Sequence, residues 1–381
     1  MATDSSSTAG DGTESPFEDT TPTGNFFIPE VDTTERASKF IKSMTERITR
    51  DQAKPVQSEP ALPVVGEKIG KYNLISELGR GFSSVVFRAH HRMLGIDVAL
   101  KVLLRKDQDA ELLSQSYREA NLLAQLNHPN ITRVLDFDEH GDWYFLVLEY
   151  VDGSDVRDLI ARTGKVDQAT LVGIIQQTCE GLKYAHQLGV IHCDIKPANL
   201  LLTADGKVKV ADLGLAKISG QGQGQVKSKY KSDANAAGGT PLYIAPEMVT
   251  GGFNAADHRS DIYSLGVTMF HALAGVPPFM HENPYEVVRM HVQDPAPSLM
   301  THCIGLDSSL VALVTCMLAK DPLERPQSYD EILADLKIIA ESIQNEQSEE
   351  DSSVQLFFRP DGTIAPKETS SNSFWNRLFK K

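Results

Sequence analysis

The sequence predicts an α+β architecture, with a small antiparallel sheet first and a mainly helical half after it. Three observations carry that prediction. From Tyr72 to Val151 the chain runs as short segments rich in β-branched residues, broken by Gly or Asp. One helix-like stretch, SQSYREANLLAQLN, interrupts them. After Gly153 the apolar residues instead recur at i, i+3 and i+4.

Taken in order, YNLISELG, SSVVFRAH and DVALKVLL read as three successive strands. The helix that follows ends at HPN, because Pro129 cannot continue it. ITRVLDFDEH and DWYFLVLEYV read as two more strands around a turn at His140–Gly141. LVGIIQQTCEGLKYAHQLG is a helix closing at Gly189. SDIYSLGVTMFHALAG is a second, with Ser260 as its N-cap and Gly275 just past its end. It is apolar nearly all round, which predicts burial at the centre of its half. A last helix is expected over SYDEILADLKIIAESI.

The ends differ in texture. Residues 1–65 are acidic and polar, with too few large apolar groups to offset their ordering entropy, and are expected to be disordered. Within them Ala37, Phe40, Ile41, Met44 and Ile48 predict a short amphipathic helix over 34–52. Residues 345–381 are expected to form a flexible tail ending in SFWNRLFKK. Either tail could serve for docking or self-association.

Composition narrows the function. The 381 residues are 41% hydrophobic and 23% charged, ordinary for a soluble globular chain. A net charge of −14 gives nucleic-acid binding no electrostatic support. No stretch approaches the roughly 18 apolar residues of a membrane span, and the acidic N-terminus lacks the features of a signal peptide. The four cysteines form no CxxC pair and show no zinc spacing, so a reducing, cytoplasmic compartment is expected.

Four stretches could carry chemistry. In LGRGFSSVVF, Gly79 and Gly81 would let backbone approach a phosphate, although such a pair also makes an ordinary turn. The strand-like VVF after it favours a hairpin over a dinucleotide-binding turn, which needs a helix there. In VALKVL, Lys101 either points to solvent or sits over nucleotide phosphates, positioned by a carboxylate such as Glu119. In IHCDIKPANLLL, Asp194 could accept a proton from an attacking hydroxyl, Lys196 could balance phosphoryl charge, and Asn199 could bind a metal. His192 is expected to hold backbone. In VKVADLGLAK, Asp212 could hold Mg²⁺ against phosphate oxygens, since magnesium takes few protein ligands.

Each signal alone is modest, but their order is distinctive. The glycine hairpin, strand Lys, helix Glu, His-x-Asp loop and Asp-x-Gly are followed by GGTPLYIAPE at 238–247, SDIYSLGV, and Arg325 in DPLERP. Over residues 72–340 the chain resembles eukaryotic-type serine/threonine protein kinases, most of all their bacterial members.

That resemblance implies a two-lobed protein-kinase fold, with an N-lobe over about 72–150 and a C-lobe over about 154–340. It implies ATP and Mg²⁺ as cofactors and protein Ser/Thr hydroxyls as substrates. Gly79 and Gly81 would cover the ATP phosphates, Val86 and Ala99 would sandwich adenine, and Lys101 would pair with Glu119. Leu148 would guard the back of the pocket, Glu149 and Val151 would offer backbone groups to adenine, and Asp155 would reach the ribose. Asp194 would be the catalytic base, with Lys196 and Thr240 beside it and Asn199 and Asp212 on the metal. Glu247 and Arg325 would pair beneath the substrate platform, and Asp261 would brace the catalytic-loop backbone.

There are departures. Ser84 stands where a third glycine is usual, Leu213 replaces the common Phe, and Cys193 replaces an Arg that in related kinases pairs with an activation-loop phosphate. The last departure predicts reduced dependence on such a phosphate. Two alternatives compete with an active kinase. A pseudokinase scaffold is opposed by the presence of Lys101, Asp194, Asn199 and Asp212, and a small-molecule kinase by the GT…APE platform.

Overall fold

A computed structural model describes residues 62–80, 84–104, 122–141, 143–213, 217–218 and 241–354. The first half is a six-stranded antiparallel sheet in the order β1-β2-β3-β4-β6-β5. Its strands are β1 (Lys68–Ile69), β2 (Tyr72–Arg80), β3 (Ser84–His91), β4 (Ile96–Leu104), β5 (Val134–His140) and β6 (Trp143–Glu149). Residues 122–125 are helical and stop before Pro129. The expected amphipathic helix over 34–52 lies outside the described residues.

Period-2 alternation gives the sheet two different faces. Val85, Phe87, Val98, Leu100, Val102 and Val147 are buried on one face, in a core with Tyr72 and Phe145. Val86, Ala99, Lys101 and Leu148 are only half-buried on the other. Register brings those four together, because Val86 pairs with Lys101 and Ala99 with Leu148.

The second half opens with β7 (Gly153–Asp155), α1 (Val156–Thr163), α2 (Gln168–Gln187) and β8 (Val190–Ile191). Next come β9 (Leu200–Thr203), β10 (Val208–Val210) and β11 (Lys217–Ile218). Then follow α3 (Pro246–Thr250), α4 (His258–Ala274), α5 (Pro284–Gln293), α6 (Ser308–Met317) and α7 (Tyr329–Val354). α4 is buried nearly all round, as its composition predicts, and packs on α2 and α6. Gly266 permits the α6 contact, since a Cβ there would stand 2.8 Å from Met317 Cβ. Gly275 ends α4 at φ 79°, a left-handed conformation that costs glycine little.

Two expectations need correction. Ser260 is not the N-cap of α4. Asp257 is, and its side chain accepts from the Arg259 amide while the Ser260 hydroxyl accepts from the Asp257 amide. Together they form a capping box, so the helix starts before the point at which a lone serine suggested. The polar segment after Asn345 does not begin as a tail either, because α7 runs on to Val354. Glu and Gln are good helix formers, and extending an existing helix adds one hydrogen bond per residue.

The sheet and the helical half have separate apolar cores. A third, small cluster of Leu123, Leu126, Ile131, Ala185, Val190 and Leu213 joins residues of both halves. Backbone ties the halves at the same place, where the Thr132 amide donates to the Val210 carbonyl and the Val210 amide donates to the Asn130 carbonyl. This two-lobed arrangement sets the end of β10, and hence Asp212, beneath the half-buried face of the sheet.

Candidate active site

The loop between β8 and β9 is shaped by a carboxylate from α4. Asp261 is 2% exposed and accepts from the His192 amide at 2.8 Å and the Cys193 amide at 2.7 Å. Burial pushes its carboxyl above the ordinary range, against the pull of His192 and those two amides. Cys193 sits at φ 64°, which is uncommon for a residue with a Cβ. The two amide bonds to Asp261 hold that conformation in place. The His192 Nδ1 accepts from the Asp194 amide at 3.2 Å, so Nε2 carries the proton and donates to the Ala211 carbonyl at 3.0 Å. His192 thus ties the loop to the residue before Asp212, a backbone role as expected.

Asp194 emerges from this brace. Its Oδ2 accepts from Lys196 Nζ at 2.7 Å and from Asn199 Nδ2 at 3.1 Å. Asn199 Nδ2 also donates to the Asp194 carbonyl at 2.7 Å, so its amide oxygen is the atom that could ligate a cation. The short helical turn at 197–199 brings Asn199 back over Asp194.

Asp212 is the other described non-glycine residue with a left-handed φ, at 62°. Its Oδ1 ion-pairs with Lys101 Nζ from β4, joining the sheet to the helical half. Burial opposes the charge on Asp212, but Lys101, Lys196 and His192 outweigh it and hold the carboxyl well below the usual range. Leu213 beside it is buried in the small inter-lobe cluster, so it serves as an apolar anchor where Phe is usual.

Below the loop lies the predicted ion pair. Arg325 donates to both Glu247 oxygens, at 2.8 and 2.9 Å, and its side chain is fully buried. Its other bonds go to the carbonyls of Ala319, Arg259 and Lys320. All five guanidinium N–H groups are therefore satisfied. Ser260 Oγ adds a 2.6 Å bond to Glu247 Oε1.

Comparison with known proteins agrees with this geometry. The family model described as protein kinase domain matches residues 72–336. This chain belongs to the protein kinase family. It is 31% identical over 81% of its length to a probable serine/threonine-protein kinase of Clostridium perfringens. It is 38% identical over 70% to the serine/threonine-protein kinase PknB of Mycobacterium tuberculosis. It is 32% identical over 72% to the serine/threonine-protein kinase PrkC of Bacillus subtilis. The matches cover 44%, 42% and 41% of those relatives, so the chain spans less than half their length.

On the sheet, Val86, Ala99, Lys101 and Leu148 share the half-buried face. Gly79, next to last in β2, pairs with Val86. The Glu149 amide donates to the Arg133 carbonyl, and its side chain forms a 2.5 Å ion pair with Lys209 of β10. Val151 follows in the connection to β7. Asp155 caps α1, accepting from the Asp158 amide at 2.8 Å and from Arg157 at 2.9 Å. Gly81, Glu119 and Thr240 lie outside the described residues, so the expected Lys101–Glu119 pair does too.

Several contacts escaped sequence reasoning. The Lys101–Asp212 and Glu149–Lys209 pairs join residues far apart in the chain, with no periodicity to announce them. The anchors of the segment at 242–243 were missed too. Ser264 Oγ donates to the Tyr243 carbonyl at 2.7 Å, the Tyr243 hydroxyl meets His271 Nδ1 at 2.7 Å, and His291 Nε2 meets the Leu242 carbonyl at 3.1 Å. Within α4, Ser264 and His271 look like ordinary interruptions of an apolar run.

Proposed function

We propose that this chain is a serine/threonine protein kinase that transfers the γ-phosphoryl group of ATP to Ser and Thr hydroxyls of protein substrates. The observation that carries this reading is the convergence of Lys101, Asp194, Lys196, Asn199 and Asp212, drawn from a strand, a loop and a strand end. The serine/threonine kinase names of PknB and PrkC support it.

The donor set fits magnesium. Asn199 offers an amide oxygen and Asp212 a carboxylate, a small hard-oxygen pair of the kind Mg²⁺ takes along with phosphates and water. Among the described residues no group of three or more His, Cys, Asp or Glu forms an all-protein metal cage. When bound there, the metal would neutralise phosphate charge. The protein supplies the rest. With Oδ2 engaged by Lys196 and Asn199, Asp194 turns Oδ1 to the substrate hydroxyl and takes its proton. Lys196 balances charge on the transferring group, Lys101 holds phosphates from above, and Thr240 completes the substrate side. Val86, Ala99 and Leu148 enclose adenine, with Glu149 and Val151 as its backbone partners, Asp155 near the ribose and Gly79 and Gly81 over the phosphates. A loose transition state makes positioning and charge the main contributions.

The test incubates the purified chain with Mg²⁺, labelled ATP and mixed histones beside an Asp212→Ala control. Label well above the control is expected. Nucleotide binding with no label above it, in cis or in trans, would replace the kinase by a scaffold.

Cys193 adds a finer proposal. Activity does not depend on an activation-loop phosphate read at this position, because a buried thiol cannot form the charge pair an Arg forms. Phosphatase-treated chain should keep its histone-labelling rate, and complete loss would reject the idea. The catalytic unit is proposed as residues 72–340.

A further inference from the structure

A chain of hydrogen bonds runs from a half-buried lysine to the backbone of the substrate platform. Lys320 Nζ lies 4.3 Å from the Phe279 ring centre and donates to the carbonyls of His291 at 2.8 Å and Met290 at 3.2 Å. Its third contact is the Tyr263 hydroxyl at 3.4 Å. The Tyr263 hydroxyl meets His291 Nδ1 at 2.9 Å, and His291 Nε2 meets the Leu242 carbonyl at 3.1 Å.

The proton positions follow from the partners. A carbonyl can only accept, so His291 carries its proton on Nε2 and donates to Leu242. Nδ1 then accepts, so Tyr263 donates to it. The tyrosine oxygen is left to accept from the ammonium. All three bonds point the same way, from Lys320 through Tyr263 and His291 to Leu242, and bonds so aligned polarise one another.

His291 and Tyr263 have no exposed surface, and Phe279 packs edge-on to the imidazole at 4.9 Å. Burial, and then Lys320, push the His291 pKa down to about 3, so the ring stays neutral as the chain of donors requires. Burial, with Arg325 adding to it against Asp294, lowers Lys320 to about 8. The other charges at the cluster are Arg325, 4.8 Å over the Tyr263 ring, and its partner Glu247.

Leu242 lies in PLYIAPE, just after Thr240 and before Tyr243. Its carbonyl is therefore held from α5 while the Tyr243 carbonyl is held from α4. We propose that His291 is a positioning residue for the protein substrate, fixing the platform backbone at Leu242 through the relay that begins at Lys320. This rests on the kinase reading above, since the platform matters only if a protein lies on it.

The experiment measures KM for histones, KM for ATP, kcat and thermal midpoint in full-length wild type, His291→Ala, His291→Gln and Tyr263→Phe. Losing one such bond should raise the histone KM of His291→Ala about tenfold. Its ATP KM should stay within about twofold of wild type, since nothing on the nucleotide face moves. His291→Gln, whose side-chain amide can still donate at the Nε2 position, should recover most of the loss. Tyr263→Phe keeps the ring and removes only the hydroxyl, so it decides the matter if His291→Ala does not fold. A smaller rise in histone KM alone is expected for it. An unchanged histone KM in both, or ATP and histone constants worsening together without rescue by Gln, overturns the proposal. Wild type that labels no histone overturns the kinase reading instead.

Discussion

Two ion pairs, one in each lobe, show how differently the halves are held. Lys71 and Asp136 meet at 2.9 Å on the sheet, with side chains 41% and 40% exposed. Arg325 and Glu247 meet at 2.8 Å in the helical half, 0% and 14% exposed. The sheet has no need of its pair, because strand register and the alternation of buried residues already specify it. The segment before α3 and the loop between β8 and β9 have no such ladder. They are irregular backbone, positioned by buried polar groups that must each be satisfied: Arg325 by five acceptors, Asp261 by two amides. The candidate site therefore sits where stability depends on individual side chains.

The sharpest way to break this contrast is Arg325→Ala. It leaves Glu247 buried beside three carbonyls without their donor, and should cost about 3–5 kcal/mol in urea or thermal unfolding. A loss no larger than that of a surface pair would erase the distinction between the lobes.

A pH titration comes next. The His291 pKa, depressed from 6.5 to about 3 in the folded chain, means that the unfolded chain binds the extra proton between those values. Stability is then full above about 6.5 and falls as the pH drops toward 3. Urea midpoints measured across that window should fall more steeply for wild type than for His291→Gln, and parallel profiles would contradict a buried neutral imidazole.

The smallest effect belongs to the sheet. Lys71→Ala should change stability by no more than about 1 kcal/mol, as exposed pairs do. A larger loss by calorimetry would show that register alone does not hold the N-lobe.

What could be read ahead of the structure follows the same division. Strands β2 to β6 were legible because alternation and β-branching are local signals. Asp194, Lys196 and Asn199 were legible because they fall within one loop whose own turn brings them together. Asp261 and the Glu247–Arg325 pair were reached only through family resemblance, and both stand where it implied. The Asp257 cap was missed because a serine at a helix start reads the same at the N-cap as at the third position of a capping box. Lys101–Asp212, Glu149–Lys209 and the Lys320–Tyr263–His291 relay were invisible, since nothing near any of these residues names its partner.

The sequence alone determined the order of strands β2 to β6 and of helices α2, α4 and α7, the burial of α4, and the residues able to accept a proton or hold a metal. These depend on periodicity and on residue chemistry, which neighbours in the chain carry. Tertiary structure alone decided that Asp212 meets Lys101, that Cys193 takes a left-handed turn against Asp261, and that Leu242 hangs from a buried imidazole. Those pairings are chosen by packing of the two cores, which sets the distances over which charges and hydrogen bonds act.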